Sequence, residues 1–371
     1  MAPEDSSPWR PLSLDIFFNG ATAPKSTFPP FQDFLGEVKP EIDRRIGNLL
    51  TQEEELDEEV KTLLLKGKRL RGGLLLYVLE ALEGRVPSIH EHFANTPGIA
   101  PVSHRWVVGM DLACAVELAH SASLILDDML DEDLTRRGLP ALHLSRGQKQ
   151  AMLDTIGVLT LPYDLAGKWG QVYTQSLTAT QRHMASGVIR ELIKKPDLPA
   201  TRLYDIIITK KTGCLFGLST LWGFLAARGD IPVIKPWEVM RAWRTWGVHV
   251  GKVMQIADDL VDLAAVKRGT REKRSWGSEA LLLLMTVDLT AKSLVTDLKH
   301  GTLDTSKARL FLSNEGVWTA LNRRLQDEKM AALQYITDQN LLPGSFNHWD
   351  NFRKTPWEIE EIMLGEGMQE G

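Results

Sequence analysis

The sequence predicts an all-α protein, a single large helical bundle. Three observations carry this. Apolar residues recur at helical spacing along most of the chain, and the alternation expected of strands is nearly absent. Nothing between the first helix and Ile336 reads as a linker. Two acidic motifs of one form, at 127–131 and 258–262, each follow an apolar helical run, which ties both to one buried architecture. The expected organisation is an irregular arm over 1–40, a helical domain over 41–340 and a tail with a short helix over 341–371.

The arm is rich in Pro, Ser, Phe and Gly, and its aromatics Phe17, Phe18, Phe28 and Phe31 are read as packing on the body. Helical pattern begins at Val38. The acidic turn EEELDEEV opens the next helix, where negative charge suits the helix dipole. Gly67-Lys68-Arg69-Leu70-Arg71-Gly72-Gly73 then separates two apolar runs. On a helical turn Lys68 and Arg71 point the same way and together suit one phosphate; a solvated loop is the plain alternative. Residues 84–104 read as a loop or broken helix, whose His90, His92 and His104 lack the i, i+4 pairing of a transition-metal helix.

A helix from Trp106 carries Glu117 and His120 into the first acidic motif, and further helical pattern runs to about Gln175. The amphipathic stretch 176–195 is broken by Pro196 and Pro199. In the next helix Lys211-Thr212-Gly213 interrupts an apolar run, with Lys210 outward and Lys211 inward. A buried lysine requires a counter-charge, and an anionic ligand is the preferred reading over a structural carboxylate. Trp237, Trp243 and Trp246 lead to the second motif and are read as core. A basic segment from Lys267 to Arg274 and further helices complete the chain.

On a helix Asp127 and Asp131 share one face with Asp128 beside them. The second copy, Asp258, Asp259 and Asp262, is preceded by Gln255 on the same face. Carboxylates this crowded repel unless a cation stands before them, and oxygen donors without nearby Cys or His favour a hard ion such as Mg²⁺. Two such faces opposed would hold metal ions, and through them a diphosphate. The plain alternative is two solvated acidic helix ends; the duplication and the apolar run before each copy argue against it.

Composition narrows the class. The chain has 371 residues, 43% hydrophobic and 25% charged, with a net charge of −5, so no general basic field exists for nucleic acid. The two cysteines, Cys114 and Cys214, lie in apolar stretches and are expected as buried thiols in a reducing compartment. The N-terminus lacks the apolar core of a secretory signal, and no apolar run is read as reaching the roughly 18 residues of a membrane span. The expected location is cytoplasmic.

G-K-R-L-R from Gly67, E-L-A-H-S-A-S-L-I-L-D-D-M-L-D from Glu117, L-T-R-R-G from Leu134, K-K-T-G from Lys210 and Q-I-A-D-D-L-V-D from Gln255 stand in this order. Together they make the chain resemble the trans-isoprenyl diphosphate synthases, the farnesyl and geranylgeranyl diphosphate synthase family, from Gly67 to about Trp276. The resemblance implies the isoprenoid synthase type I fold, a bundle around a deep apolar cavity, usually homodimeric. It implies a trinuclear Mg²⁺ cluster on Asp127, Asp128, Asp131, Asp258, Asp259 and Asp262. The cluster would hold an allylic diphosphate, assisted by Arg136 and Lys211. Lys68, Arg71, His120 and Arg137 match positions that hold isopentenyl diphosphate, and Thr212 and Gln255 match residues lining the reacting carbons.

The product tail is expected to grow along residues N-terminal to Asp127. Five residues back is roughly 7.5 Å, which points to Ala122 and Ser123, with Ala119 a turn deeper. Small residues there leave the floor open, for products of C20 or longer. The chain also departs from the family. The loop after Asp262 is short, with Lys267 or Lys273 as substitutes for a missing lysine, SGVIREL stands in place of G-Q-x-x-D-L, and D-T-I-G at 154–157 replaces an expected G-D. A terpene cyclase of the same fold and a non-catalytic partner subunit are the alternatives. Lys68, Arg71 and Arg137 argue against the first, and the six retained aspartates against the second.

Overall fold

Helices dominate because nearly every segment offers an apolar stripe that only a neighbouring helix can cover. The computed structural model describes residues 28–83, 103–193, 197–229, 235–268, 278–288, 291–292, 294, 305–342 and 349–367. The order is α1 (Phe31–Leu50), α2 (Glu58–Leu65), α3 (Leu70–Glu83), α4 (His104–Asp131), a two-stranded hairpin (Thr135–Arg136 with Leu139–Pro140), α5 (Leu142–Ser145), α6 (Gln148–Gly167) and α7 (Gln171–Val188). After these come α8 (Ala200–Ile208), α9 (Cys214–Arg228), α10 (Pro236–Arg268), α11 (Ser278–Val287), α12 (Thr305–Leu312), α13 (Glu315–Asp338), α14 (Asp350–Arg353) and α15 (Thr355–Gly367).

α3, α4, α9 and α10 form the centre. α3 and α9 are buried almost all round, as helices surrounded by other helices must be. Close approach depends on glycine at one contact: a Cβ on Gly223 of α9 would stand 2.4 Å from the carbonyl oxygen of Leu75 on α3. α4 is long and apolar enough to cross a membrane, contrary to the sequence reading, but 83% of its most apolar stretch is buried inside the bundle. That is the composition of a core helix.

Several boundaries differ from the sequence reading. α1 begins at Phe31, not Val38, because Phe31, Phe34 and Leu35 already face the core. Phe28 and Phe31 pack on Tyr77, and Phe28 also meets Trp349 and Phe352, so the two ends of the described chain close on each other. The helix expected to run to Gln175 breaks at Gly170, where φ is +122°. Trp243 and Trp246 are core residues that meet Phe352, Trp246 stacked and Trp243 edge-on, whereas Trp237 is 79% exposed at the start of α10 and is not core. Both cysteines are free and buried; burial pushes the Cys214 thiol up to about 12. Phe17, Phe18, His90, His92 and Lys273 lie outside the described residues.

Candidate active site

The last turns of α4 and the middle of α10 form opposite walls of one cavity of about 740 Å³. Asp127 and Asp131 line it from α4, and Asp258 and Asp262 from α10. Asp127, Asp258 and Asp262 are half-buried there, and Asp131 is exposed at the mouth. Below them the walls become apolar: Leu124, Leu159, Met184, Val188, Leu215 and Met254.

The middle aspartate of each motif faces away from the cavity. Asp128 accepts a hydrogen bond from Arg136 Nε at 2.6 Å. The hairpin makes this contact: Glu132 ends α4 in the left-handed region, and Arg137 and Gly138, both with positive φ, form a two-residue turn that returns Arg136 to the helix end. Asp259 is held by Tyr204 Oη at 2.6 Å and Gln255 Nε2 at 3.1 Å. Burial raises Asp131 to about 6, reinforced by Glu191, Asp127 and Asp133, with the Lys211 ammonium opposing. Burial raises Asp127 as well, also against Lys211.

Lys211 lines the cavity from a π-helical turn, Thr209–Gly213, that joins α8 to α9. A second π turn, Ile189–Ile193, extends α7. Such turns insert one residue and re-aim a side chain, which is why they recur at functional sites. The counter-charge of Lys211 is supplied by the protein rather than awaiting a ligand: Glu191 Oε2 lies at 3.2 Å and Glu279 Oε1 at 3.6 Å. Thr212 Oγ1 donates to Gln255 Oε1 at 2.6 Å, linking this π turn to α10.

A basic group stands beside the acidic one. Arg71 lies over the Phe216 ring at 4.7 Å, and burial lowers its pKa to about 10. Burial among Arg71, Arg137, Arg136 and Arg69 keeps His120 neutral. Arg71, His120 and Arg136 line the cavity. Lys68 and Arg137 do not. Lys68 precedes α3 in a non-helical loop, where Arg69 has φ +59°, so it does not share a face with Arg71; its Nζ is 3.3 Å from Met363 Sδ. Arg137 reaches the carbonyl oxygens of Leu63 and Lys66.

Ala119 and Ser123 line the deep wall, but Ala122 is packed in the hydrophobic core and does not, which corrects the expected floor. One turn of helix separates Ala119 from Ser123, and Ala122 falls on the face between them and α4's neighbours. Lys267 lies over the Trp318 ring at 5.1 Å rather than at the cavity. Sequence reasoning missed Glu191, Glu279 and Tyr204. Only Glu191 left a signal: it is the carboxylate of SGVIREL, the segment set apart as a departure.

The donors that line the cavity are oxygens of carboxylates, and burial, with neighbouring carboxylates adding to it, raises Asp127 and Asp131, a cost to their charge that a cation would offset; the set fits a hard divalent ion. Among the described residues, no group of three or more His, Cys, Asp or Glu forms a metal centre by itself.

The polyprenyl synthetase family model matches residues 53–274, more than half of the chain. A hexaprenyl pyrophosphate synthase of Saccharolobus solfataricus is 28% identical over 63% of this chain and 73% of its own. A geranylgeranyl diphosphate synthase of Pantoea ananas is 28% identical over 62% and 74%. Among solved structures, a polyprenyl synthase from Caulobacter crescentus complexed with calcium and isoprenyl diphosphate superposes with a TM-score of 0.67, at 20% identity, over 92% of this chain and 99% of that one. The chain belongs to the polyprenyl synthetase family. It is an all-α trans-prenyltransferase of the isoprenyl diphosphate synthase kind.

Proposed function

We propose that the protein joins an allylic diphosphate to isopentenyl diphosphate head to tail, giving products of C20 or longer. The observation that carries this reading is one cavity with acidic walls at its mouth, a basic group beside them and an apolar depth below. Asp127, Asp131, Asp258 and Asp262 would hold Mg²⁺, with Asp128 and Asp259 behind them. Bound there, the metal supplies positive charge for a diphosphate leaving group. The family's relatives, one of them complexed with calcium, support a divalent ion.

Arg136 and Lys211 face the negative charge that develops as the allylic C–O bond breaks, which is where fixed cations lower a barrier most. Arg71 and neutral His120 are placed for the second diphosphate. Lys68 and Arg137 reach it only after leaving Met363 and the carbonyls of Leu63 and Lys66. The apolar walls exclude water from the allylic cation. Thr212 and Gln255 turn oxygen dipoles toward it. The isopentenyl double bond attacks, and the released diphosphate takes the proton lost in forming the new alkene.

Exposed Leu144, Met152, Leu153 and Ile156 on α5 and α6 support a homodimer. Two buried free thiols support a cytoplasmic location. The test is product analysis after incubating the protein with Mg²⁺, an allylic diphosphate and isopentenyl diphosphate. Elongation to C20 or beyond is expected, and Ser123→Phe is expected to shorten the product. Ala122→Phe instead overpacks the core, at about 1–3 kcal/mol, without shortening it. Release of hydrocarbon would favour a cyclase, and an unchanged product from Ser123→Phe would remove the floor assignment.

A further inference from the structure

Glu279 belongs to neither acidic motif, yet it lines the cavity from the first turn of α11. Its Oε2 accepts from Gln255 Nε2 at 3.3 Å, and its Oε1 lies 3.6 Å from Lys211 Nζ. We propose that Glu279 is a positioning residue for prenyl transfer, holding the Gln255 amide so that its oxygen faces Thr212 and the cavity. The inference rests on the functional reading above.

The reason lies in the ambiguity of an amide. Its two ends have nearly the same shape, so neighbours decide which end faces which way. The Thr212 hydroxyl both donates and accepts, and so tolerates either orientation. Asp259 and Glu279 do not: both offer oxygen acceptors to the same Nε2, at 3.1 and 3.3 Å. With the amino end claimed, Oε1 is left to accept from Thr212. An inverted amide would present N–H groups to the region where positive charge develops, a dipole of the wrong sign. Asp259 takes Tyr204 on its other oxygen and sits within the metal-binding motif, whereas Glu279 is the acceptor of the Gln255 amide that lies outside that motif. Glu279 also shares the counter-charge of Lys211 with Glu191, which lies at the shorter distance of 3.2 Å, so a variant without the Glu279 charge leaves Lys211 one carboxylate partner.

Two conservative variants separate reach from charge. Glu279→Gln keeps the length and an acceptor oxygen but removes the charge. Glu279→Asp keeps the charge but withdraws it by one methylene from a contact already 3.3 Å long. In steady-state condensation assays, Glu279→Gln is expected within about threefold of the wild-type kcat, and Glu279→Asp about tenfold lower, both with an unchanged KM for isopentenyl diphosphate. The reverse ranking would mean that charge on Lys211 matters instead. That ranking, equal losses, or no loss in either variant overturns the proposal. A wild-type chain that makes no elongated product overturns the functional reading, and this inference with it.

Discussion

The acidic motif that ends α4 and the one inside α10 present the same two carboxylate positions to the cavity, but they are anchored from behind by different chemistry. In the first, Asp128 rests on the Arg136 cation, delivered by a short hairpin beyond the end of the helix. In the second, Asp259 rests on the neutral donors Tyr204 and Gln255, and the helix continues past it. α10 is further braced by an ionic network, with the buried Lys252 Nζ at 2.6 Å from the half-buried Asp205 and 2.9 Å from the buried Glu328. The difference teaches that the motif specifies only which carboxylates face inward. What holds them is built separately at each wall, from whatever the neighbouring segments bring.

The strongest way to break the comparison is to remove the inward carboxylates. Asp127→Ala and Asp258→Ala are each expected to lower kcat by about 10²–10³-fold, since both act on the same developing charge. A loss confined to one wall, measured by initial rates at saturating Mg²⁺, would show that the walls do not act as a pair.

A smaller effect sharpens the contrast behind the walls. Arg136→Leu leaves the buried Asp128 carboxylate without its cation and is expected to cost about 3 kcal/mol of unfolding free energy, the 27% exposure of the arginine softening the loss. Tyr204→Phe removes one of two donors to Asp259 and is expected to cost about 1 kcal/mol. Urea denaturation of the two variants checks the order; equal costs would erase the distinction between the anchors.

The smallest effect concerns acid. Burial alone would raise Glu328, but its hydrogen bond with His249 and the Lys252 ammonium outweigh that and hold it at about 2, below the ordinary 4.5. Because the folded value is depressed, this stabilisation is present above pH 4.5 and is lost as pH falls toward 2. Glu328→Gln is expected to flatten the fall in stability across that window while leaving the α4 wall unaffected. Acid titrations followed by circular dichroism, with an unchanged slope in the variant, would dismiss the network as a brace.

Much of the site was legible because its chemistry is written at helical spacing. Asp127 and Asp131, or Asp258 and Asp262, share a face whatever surrounds them, and Lys211 in an apolar run announces a buried charge. Arg136 was legible only through the family motif, since nothing local shows that a hairpin will turn it back. Lys68 was misjudged because the positive φ of Arg69 breaks the turn that would have aligned it with Arg71. Glu279 left no trace, since it lies beyond the second motif on a separate helix.

By itself the sequence determined the helical class, the two acidic faces and the family, because periodicity and spacing are local properties that survive any packing. Tertiary structure alone decided which face of α4 turned Ser123 to the cavity and Ala122 to the core, which carboxylates closed on Lys211, and which donors stood behind Asp128 and Asp259. Those outcomes depend on how helices far apart in the chain rotate against one another, and the burial energy that sets each rotation is shared among neighbours no single segment contains.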